Sequence, residues 1–433
     1  MATTRLGSDR CDRVGAGGQD AGRGIDLGRR LPTLDGVRGL AVLMVLLFHF
    51  IGGVQPTNTI EQIVVRATNY GSYGVELFFV LSGFLITGIL YDSRENPRYF
   101  RNFYMRRVLR IFPLYYGVLI LVFLVAPLVP MLRGPTLDTL LDRQAWAWLY
   151  AVNVHIALAG EWSFSYLQHF WSLAIEEHFY LFWPFVVYAL VRRPRLLVAV
   201  SLGLAVAAFA GRILGLGAGL SWWTTYVLTP FRLDGLALGA AMAVVVRQRG
   251  GLEWLMRAMP RVALIAGALF VASFAWSRHA GQGDVYVMGF RAGLIQVLLA
   301  CLLLWAITAP APSLVARVFS GRTLTFLGTY SYGLYVYHHF ISYYFSANKT
   351  ELAVAAWIGS HTAAMALQAA VGMGASLAIA YVSFEYFEKR FLDMKRHFSA
   401  HAAGEQSLAE QAPAARSRVG AQGKAASMPV AGE

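Results

Sequence analysis

The chain has 433 residues, of which 57% are hydrophobic and only 14% charged, and its formal net charge is +13. Soluble domains carry roughly 25% charged residues, so an ordinary soluble globule is excluded. A basic excess on so apolar a chain marks the loops that flank membrane spans, and no nucleic-acid partner is expected.

Residues 1–30 are rich in Gly, Arg and Asp and lack the apolar core of a signal peptide. They read as a disordered cytoplasmic tail. Beyond them, apolar runs of about 20 residues, the length that crosses a bilayer, recur along the chain. The predicted spans are 37–54, 72–91, 111–131, 170–191, 196–214, 223–246, 262–276, 287–308, 323–345 and 364–386. Lipid forces backbone groups to pair within their own segment, so these runs must be helical. The short alternating segments of a barrel are not seen. The expected fold is all-α: a polytopic integral membrane bundle of about ten transmembrane helices with both termini cytoplasmic, its membrane domain at 31–392. The stretch "AWAWLYAVNVHIAL" (145–158) is short for a span and is assigned to an outer loop, as an interfacial or re-entrant piece. Residues 393–433, rich in Ala, Gln, Gly and Ser, read as a second disordered cytoplasmic tail.

Charge supports this threading. Fifteen arginines fall on inner loops, against five basic residues on outer ones, the distribution that orients membrane proteins. Counting 145–158 as a span would invert every later loop and place Arg192, Arg193 and Arg195 outside. Of the two cysteines, Cys11 lies in the polar tail and Cys301 in an apolar run. Neither belongs to a metal-ligand cluster, and no metal is expected.

Ionisable groups inside such helices are costly and are functional candidates by default. The first span, within "LDGVRGLAVLMVLLFHF" (34–50), holds Arg38 and His49. Eleven residues place them about 20° apart on one helical face, with a rise of about 16.5 Å. Glu76, Glu176, Glu177, His178, Arg232, Asp234, His338 and His339 fall inside later spans, with Arg212 and Arg291 near outer ends. Most are expected in one layer, level with His49. Below that layer, Arg106, Arg107 and Arg110 stand at the cytoplasmic mouth, level with Arg38. Guanidinium groups bind phosphate through paired hydrogen bonds, and Arg106 and Arg110 are i,i+4 neighbours if helical. An arginine mouth beneath a histidine chamber suits a phosphorylated head with a long thin reactive tail, the shape of an acyl-CoA.

At these residues the chain resembles the acyltransferase-three family of integral-membrane O-acyltransferases. The pieces that carry the resemblance are Arg38 with His49 in the first span, "FFVLSGFLIT" (78–87), "RRVLRIFP" (106–113), "WSLAIEEHFYLFWP" (171–184), "RLDGLALGA" (232–240) and "SYGLYVYHHF" (331–340). They cover about residues 31–392. The resemblance implies a ten-helix domain of a bacterial inner membrane that moves an acyl group, commonly acetyl, from cytosolic acyl-CoA to a hydroxyl. Acceptors would be surface glycans, lipid-linked glycans or other hydroxyl compounds. Acyl-CoA would be a co-substrate, with no bound cofactor. The resemblance makes His49 the catalytic candidate, Arg38, Arg106 and Arg110 the motif arginines, and Glu176, with Glu177 adjacent, the glutamate after "WSL". His178 stands where family members often have Gln. Some members carry an additional hydrolase-like domain, which is not expected in the polar residues 393–433.

Transfer to an alcohol needs a base for the hydroxyl proton and stabilisation of the thioester oxygen. His49 is expected either to act as that base or to carry the acyl group, with Glu176 first, and Glu177 or Glu76 as rivals, to orient it. CoA phosphates are expected on Arg38, Arg106, Arg107 and Arg110. Arg232, Ser82 and Ser172 are the oxyanion donors considered. The rival classes are a proton-coupled transporter, which related halves or paired broken helices would favour, and a non-catalytic membrane component of a polysaccharide export assembly.

Overall fold

The structure, a computed structural model, describes residues 31–280, 285–310 and 312–398. The segments expected to be tails lie outside these residues except for 393–398, and Met394–Phe398 forms a helical turn packed on the fourth helix named below. Every element among the described residues is helical, with no strand, as an all-α membrane bundle requires.

Eleven helices frame the site: α1 (Pro32–Leu47), α2 (Thr59–Asn69), α3 (Gly74–Asp92), α4 (Tyr99–Ile120), α5 (Phe170–Leu190), α6 (Pro194–Gly217), α7 (Leu233–Val245), α8 (Gly251–Ala280), α9 (Val285–Thr308), α10 (Ser331–Asn348) and α11 (His361–Ser383). Among the described residues, seven helical stretches are long and apolar enough to cross a membrane: Pro32–Gly52, Thr59–Asp92, Tyr99–Leu128, Pro194–Gly217, Gly251–Ser277, Tyr286–Thr308 and His361–Phe398. The other three predicted spans coincide with α5, α7 and α10. Their polar chemistry or length sets them apart: α5 carries Glu176, Glu177 and His178, α10 carries His338 and His339 among tyrosines, and α7 has only 13 residues.

Two predicted spans are interrupted. The stretch 223–246 breaks at the turn Thr229–Phe231, between a short helix, Trp222–Val227, and α7. Pro230 in that turn supplies no N–H to a continuing ladder. The stretch 323–345 breaks at Tyr330, between Arg322–Thr329 and α10. The sequence reading anticipated neither break. They fall in the sixth and ninth predicted spans, which do not correspond in two halves of five, so they are not the paired interruptions of an inverted repeat. Residues 145–158 fold into two short helices, Gln144–Trp148 and Val152–Ala159, that meet at Tyr150 with φ 54°. Eight residues rise about 12 Å, far short of a bilayer.

The scaffold around the site is α3 packed on α7, with α1, α5 and α9 against α3, and α6 against α7. Glycine sets the closeness of the central pair. A Cβ on Gly83 would sit 1.9 Å from the Leu236 carbonyl oxygen, and one on Gly239 would sit 2.0 Å from that of Val80. In lipid, where apolar surface gives no drive for helices to associate, such backbone proximity maximises dispersion contact.

Candidate active site

At the end of α1 a π-helical turn, Phe48–Gly52, replaces the α-helix and carries His49. His49 Nδ1 lies 3.0 Å from the Val45 carbonyl oxygen. A carbonyl only accepts, so this nitrogen donates, and a neutral ring keeps its lone pair at Nε2. The side chain is half-buried. Three buried imidazoles surround it. The rings of His338 and His339 lie 4.8 and 5.1 Å from that of His49. His169 stacks on His339 at 4.7 Å and lies 5.4 Å from His338. Backbone carbonyls hold these rings: Tyr335 takes His338 Nδ1 at 2.7 Å, Val336 takes His169 Nε2 at 3.1 Å, and Tyr166 takes His339 Nδ1 at 3.3 Å. Among the described residues no group of three or more His, Cys, Asp or Glu is arranged to hold a metal ion.

Toward the Arg38 end of α1 a partly open cavity of about 110 Å³ lies between the helices. Arg38, Arg107 and Arg110 line it, with Ser82, Ser172, Glu176, Glu177, Tyr180 and Tyr335. Arg107 Nε is buried without a hydrogen-bond partner, and its guanidinium lies over the Tyr180 ring at 5.9 Å. Arg38 is paired with Asp35 at 3.0 Å. Tyr335 joins cavity to histidines: its hydroxyl donates to the His169 carbonyl at 3.1 Å and is hydrogen-bonded to Ser172, and its ring lies 5.6 Å from that of His338. Tyr335 is thus the wall residue shared by the cavity and the histidine cluster.

The single ionisable layer expected from the sequence resolves into three groups. The histidines form one. Glu176 and Glu177 join the arginines instead, because seven residues of α5, about 10 Å, separate Glu176 from His169. Glu176 accepts from Ser82 at 2.9 Å and from Tyr180 at 3.1 Å, and neither oxygen meets His49. Glu177 lines the cavity without a hydrogen bond to His49. The third group is a buried ion-pair network. Glu76 pairs with Arg232 and accepts from Gln296 at 2.8 Å, while Arg212 donates to Asp234 at 2.7 Å and to the Phe231 carbonyl at 2.9 Å. Arg232, held there beneath the Phe79, Trp171 and Tyr226 rings, lies outside the cavity lining. Ser82 and Ser172 remain on the cavity wall. Arg291 is likewise engaged, donating to Ser273 and Ser277 of α8. His178 reaches Thr229 at 2.7 Å, tying α5 to the break before α7.

Arg106 parts from its neighbours. The helix starts at Tyr99, so the segment is α-helical. Arg107, Arg110 and Ile111 line the cavity, whereas Arg106, about 100° away from Arg107 on the helix, lines only an adjoining groove with Asn102 and Phe398, which Arg107 also borders. Sequence reasoning missed two contributors. His169 was hidden because it immediately precedes the helix whose "WSL…EE" residues drew attention. Lys395 was assigned to a tail, yet it sits on the Met394–Phe398 turn packed against α4, the helix that carries Arg106, Arg107 and Arg110.

Comparison with known proteins adds a family. A family model described as an acyltransferase domain matches residues 31–385. The chain is 29% identical over 321 residues to a peptidoglycan O-acetyltransferase, OatA, of Listeria monocytogenes, covering 71% of this chain and 49% of that protein. It is 30% identical over 330 residues to a putative peptidoglycan O-acetyltransferase, YrhL, of Bacillus subtilis, covering 72% and 48%. It is 27% identical over 333 residues to the O-acetyltransferase OatA of Staphylococcus aureus, covering 72% and 50%. The chain thus spans about half the length of the curated relatives it matches. No solved structure matches it significantly.

Proposed function

The chain belongs to the acyltransferase family whose domain model covers residues 31–385, and on that premise we propose that it is a multi-pass membrane O-acetyltransferase. It takes the acetyl group from cytosolic acetyl-CoA and delivers it to a hydroxyl of a glycan, with peptidoglycan the first acceptor to test because two relatives are named for it. The membrane is a bacterial inner membrane. The observation that carries this reading is the arginine-lined cavity whose wall residue Tyr335 also packs on His338, the neighbour of His49.

In the proposed reaction the CoA phosphates lie on Arg107, Arg110 and Arg38, whose charge-assisted hydrogen bonds suit phosphate oxygens. The pantetheine arm passes along the cavity and brings the thioester toward His49. The acceptor hydroxyl approaches from the opposite side and gives its proton to His49 Nε2 as its oxygen attacks the thioester carbonyl. The tetrahedral intermediate collapses, the carbon–sulfur bond breaks, and the departing sulfur takes the proton from His49. The products are the ester and free CoA thiol.

Purified protein given acetyl-CoA and soluble peptidoglycan fragments should release CoA thiol and form an alkali-labile ester. His49→Ala should lower that rate by about 10²- to 10⁴-fold, the usual worth of a general base, with CoA binding retained. Full turnover by His49→Ala would remove the base assignment. Accumulation of an acetylated His49 in the absence of acceptor would replace it with a covalent route.

A further inference from the structure

We infer that His338 is a positioning residue for His49, fixing the tautomer that leaves Nε2 free to accept a proton; this rests on His49 being the base. His338 Nδ1 lies 2.7 Å from the Tyr335 carbonyl oxygen and 3.1 Å from that of Leu334. Both carbonyls only accept, so His338 is protonated at Nδ1 and carries its lone pair at Nε2. That lone pair meets His49 Nδ1 at 3.3 Å. The same His49 nitrogen faces the Val45 carbonyl at 3.0 Å. Two acceptors converge on one nitrogen, and only a protonated Nδ1 satisfies them. The opposite tautomer would crowd three lone pairs in a buried site, where an unmade hydrogen bond is most costly.

The two rings are not interchangeable. His338 is fully buried with both nitrogens engaged, whereas His49 is half-buried with one nitrogen free. His338 also gives the imidazolium formed on His49 a hydrogen-bond acceptor without bringing a negative charge beside it. Besides His49, the ring and hydroxyl neighbours of His338 are His169, His339 and Tyr335, and among the described residues no carboxylate hydrogen-bonds to either member of the pair. The orienting role expected of Glu176 thus falls to a second imidazole, reached from α10.

The test uses the full chain in lipid nanodiscs with histidine ring nitrogens labelled with 15N, and His49→Ala to assign the His49 signals. The resting wild-type protein should show His49 protonated at Nδ1 and not at Nε2. In His338→Ala, where only the Val45 carbonyl still accepts from Nδ1, that preference should weaken measurably, and turnover of acetyl-CoA with soluble peptidoglycan fragments should fall by about 100-fold, with KM for acetyl-CoA unchanged. His338→Gln, whose amide oxygen can accept from His49 Nδ1–H, should restore both the tautomer and most of the rate. A wild-type His49 protonated at Nε2, or wild-type turnover in His338→Ala, overturns the inference while leaving the base assignment to stand. Full turnover in His49→Ala overturns the base assignment itself.

Discussion

Arg107 and Arg106 are neighbours in sequence with different surroundings, and that difference is measurable. Arg107 lines the cavity and has a buried Nε with no protein partner, whereas Arg106 is exposed and lines only the adjoining groove. Arg107→Ala should raise KM for acetyl-CoA by about 10-fold, the worth of a charge-assisted hydrogen bond, with little change in kcat. Arg106→Ala should change KM by no more than about two-fold, as expected for an exposed charge. Initial rates over a series of acetyl-CoA concentrations decide both. At this scale the sequence disclosed Arg38 and His49, because an ionisable group in an apolar run stands out and helical periodicity puts both on one face. It did not disclose the partner of His49. Periodicity fixes depth along one helix, while the meeting of His49 with His338 depends on how α1 and α10 register, which no pattern within either helix encodes.

Between elements, two devices hold the helices that present the site. The first is the Gly83–Gly239 approach of α3 to α7. Gly83→Val places methyl groups against backbone that has no room to move, and should cost about 3 kcal/mol through overpacking. The second is the Arg212–Asp234 pair, in which both side chains are almost wholly enclosed. Asp234→Ala strands a buried guanidinium and should destabilise by about 3–5 kcal/mol, whereas the double change Arg212→Met with Asp234→Leu should cost much less. Loss of helical circular dichroism during denaturant titration in detergent ranks these variants. Unaltered stability of Asp234→Ala would show that the pair is dispensable. The long apolar helices were legible from hydropathy and charge. The breaks at Thr229–Phe231 and Tyr330 were not, since apolar residues continue through both and only Pro230 punctuates one of them. The ion pairs were also not legible: Glu76 and Arg232 looked like members of one ionisable layer, and only the packing of α3 against the start of α7 shows that they pair with each other.

Across the whole molecule the arrangement is vectorial. Arg38, Arg107 and Arg110 gather on one cavity, and His49 lies about 16 Å further along the first span. The all-α membrane class followed from composition alone, because so apolar a chain has few alternatives. The course of the cavity did not, because it is lined from five separate helices. The most direct measurement supplies labelled acetyl-CoA to one face at a time of sealed vesicles in which every copy has the same orientation, with acceptor fragments on both faces, and follows the labelled ester. Transfer should occur when acetyl-CoA is on the face that exposes Arg38, Arg107 and Arg110, and should be lost when it is confined to the other. Equal transfer from both faces, or transfer from the histidine side alone, would contradict the account.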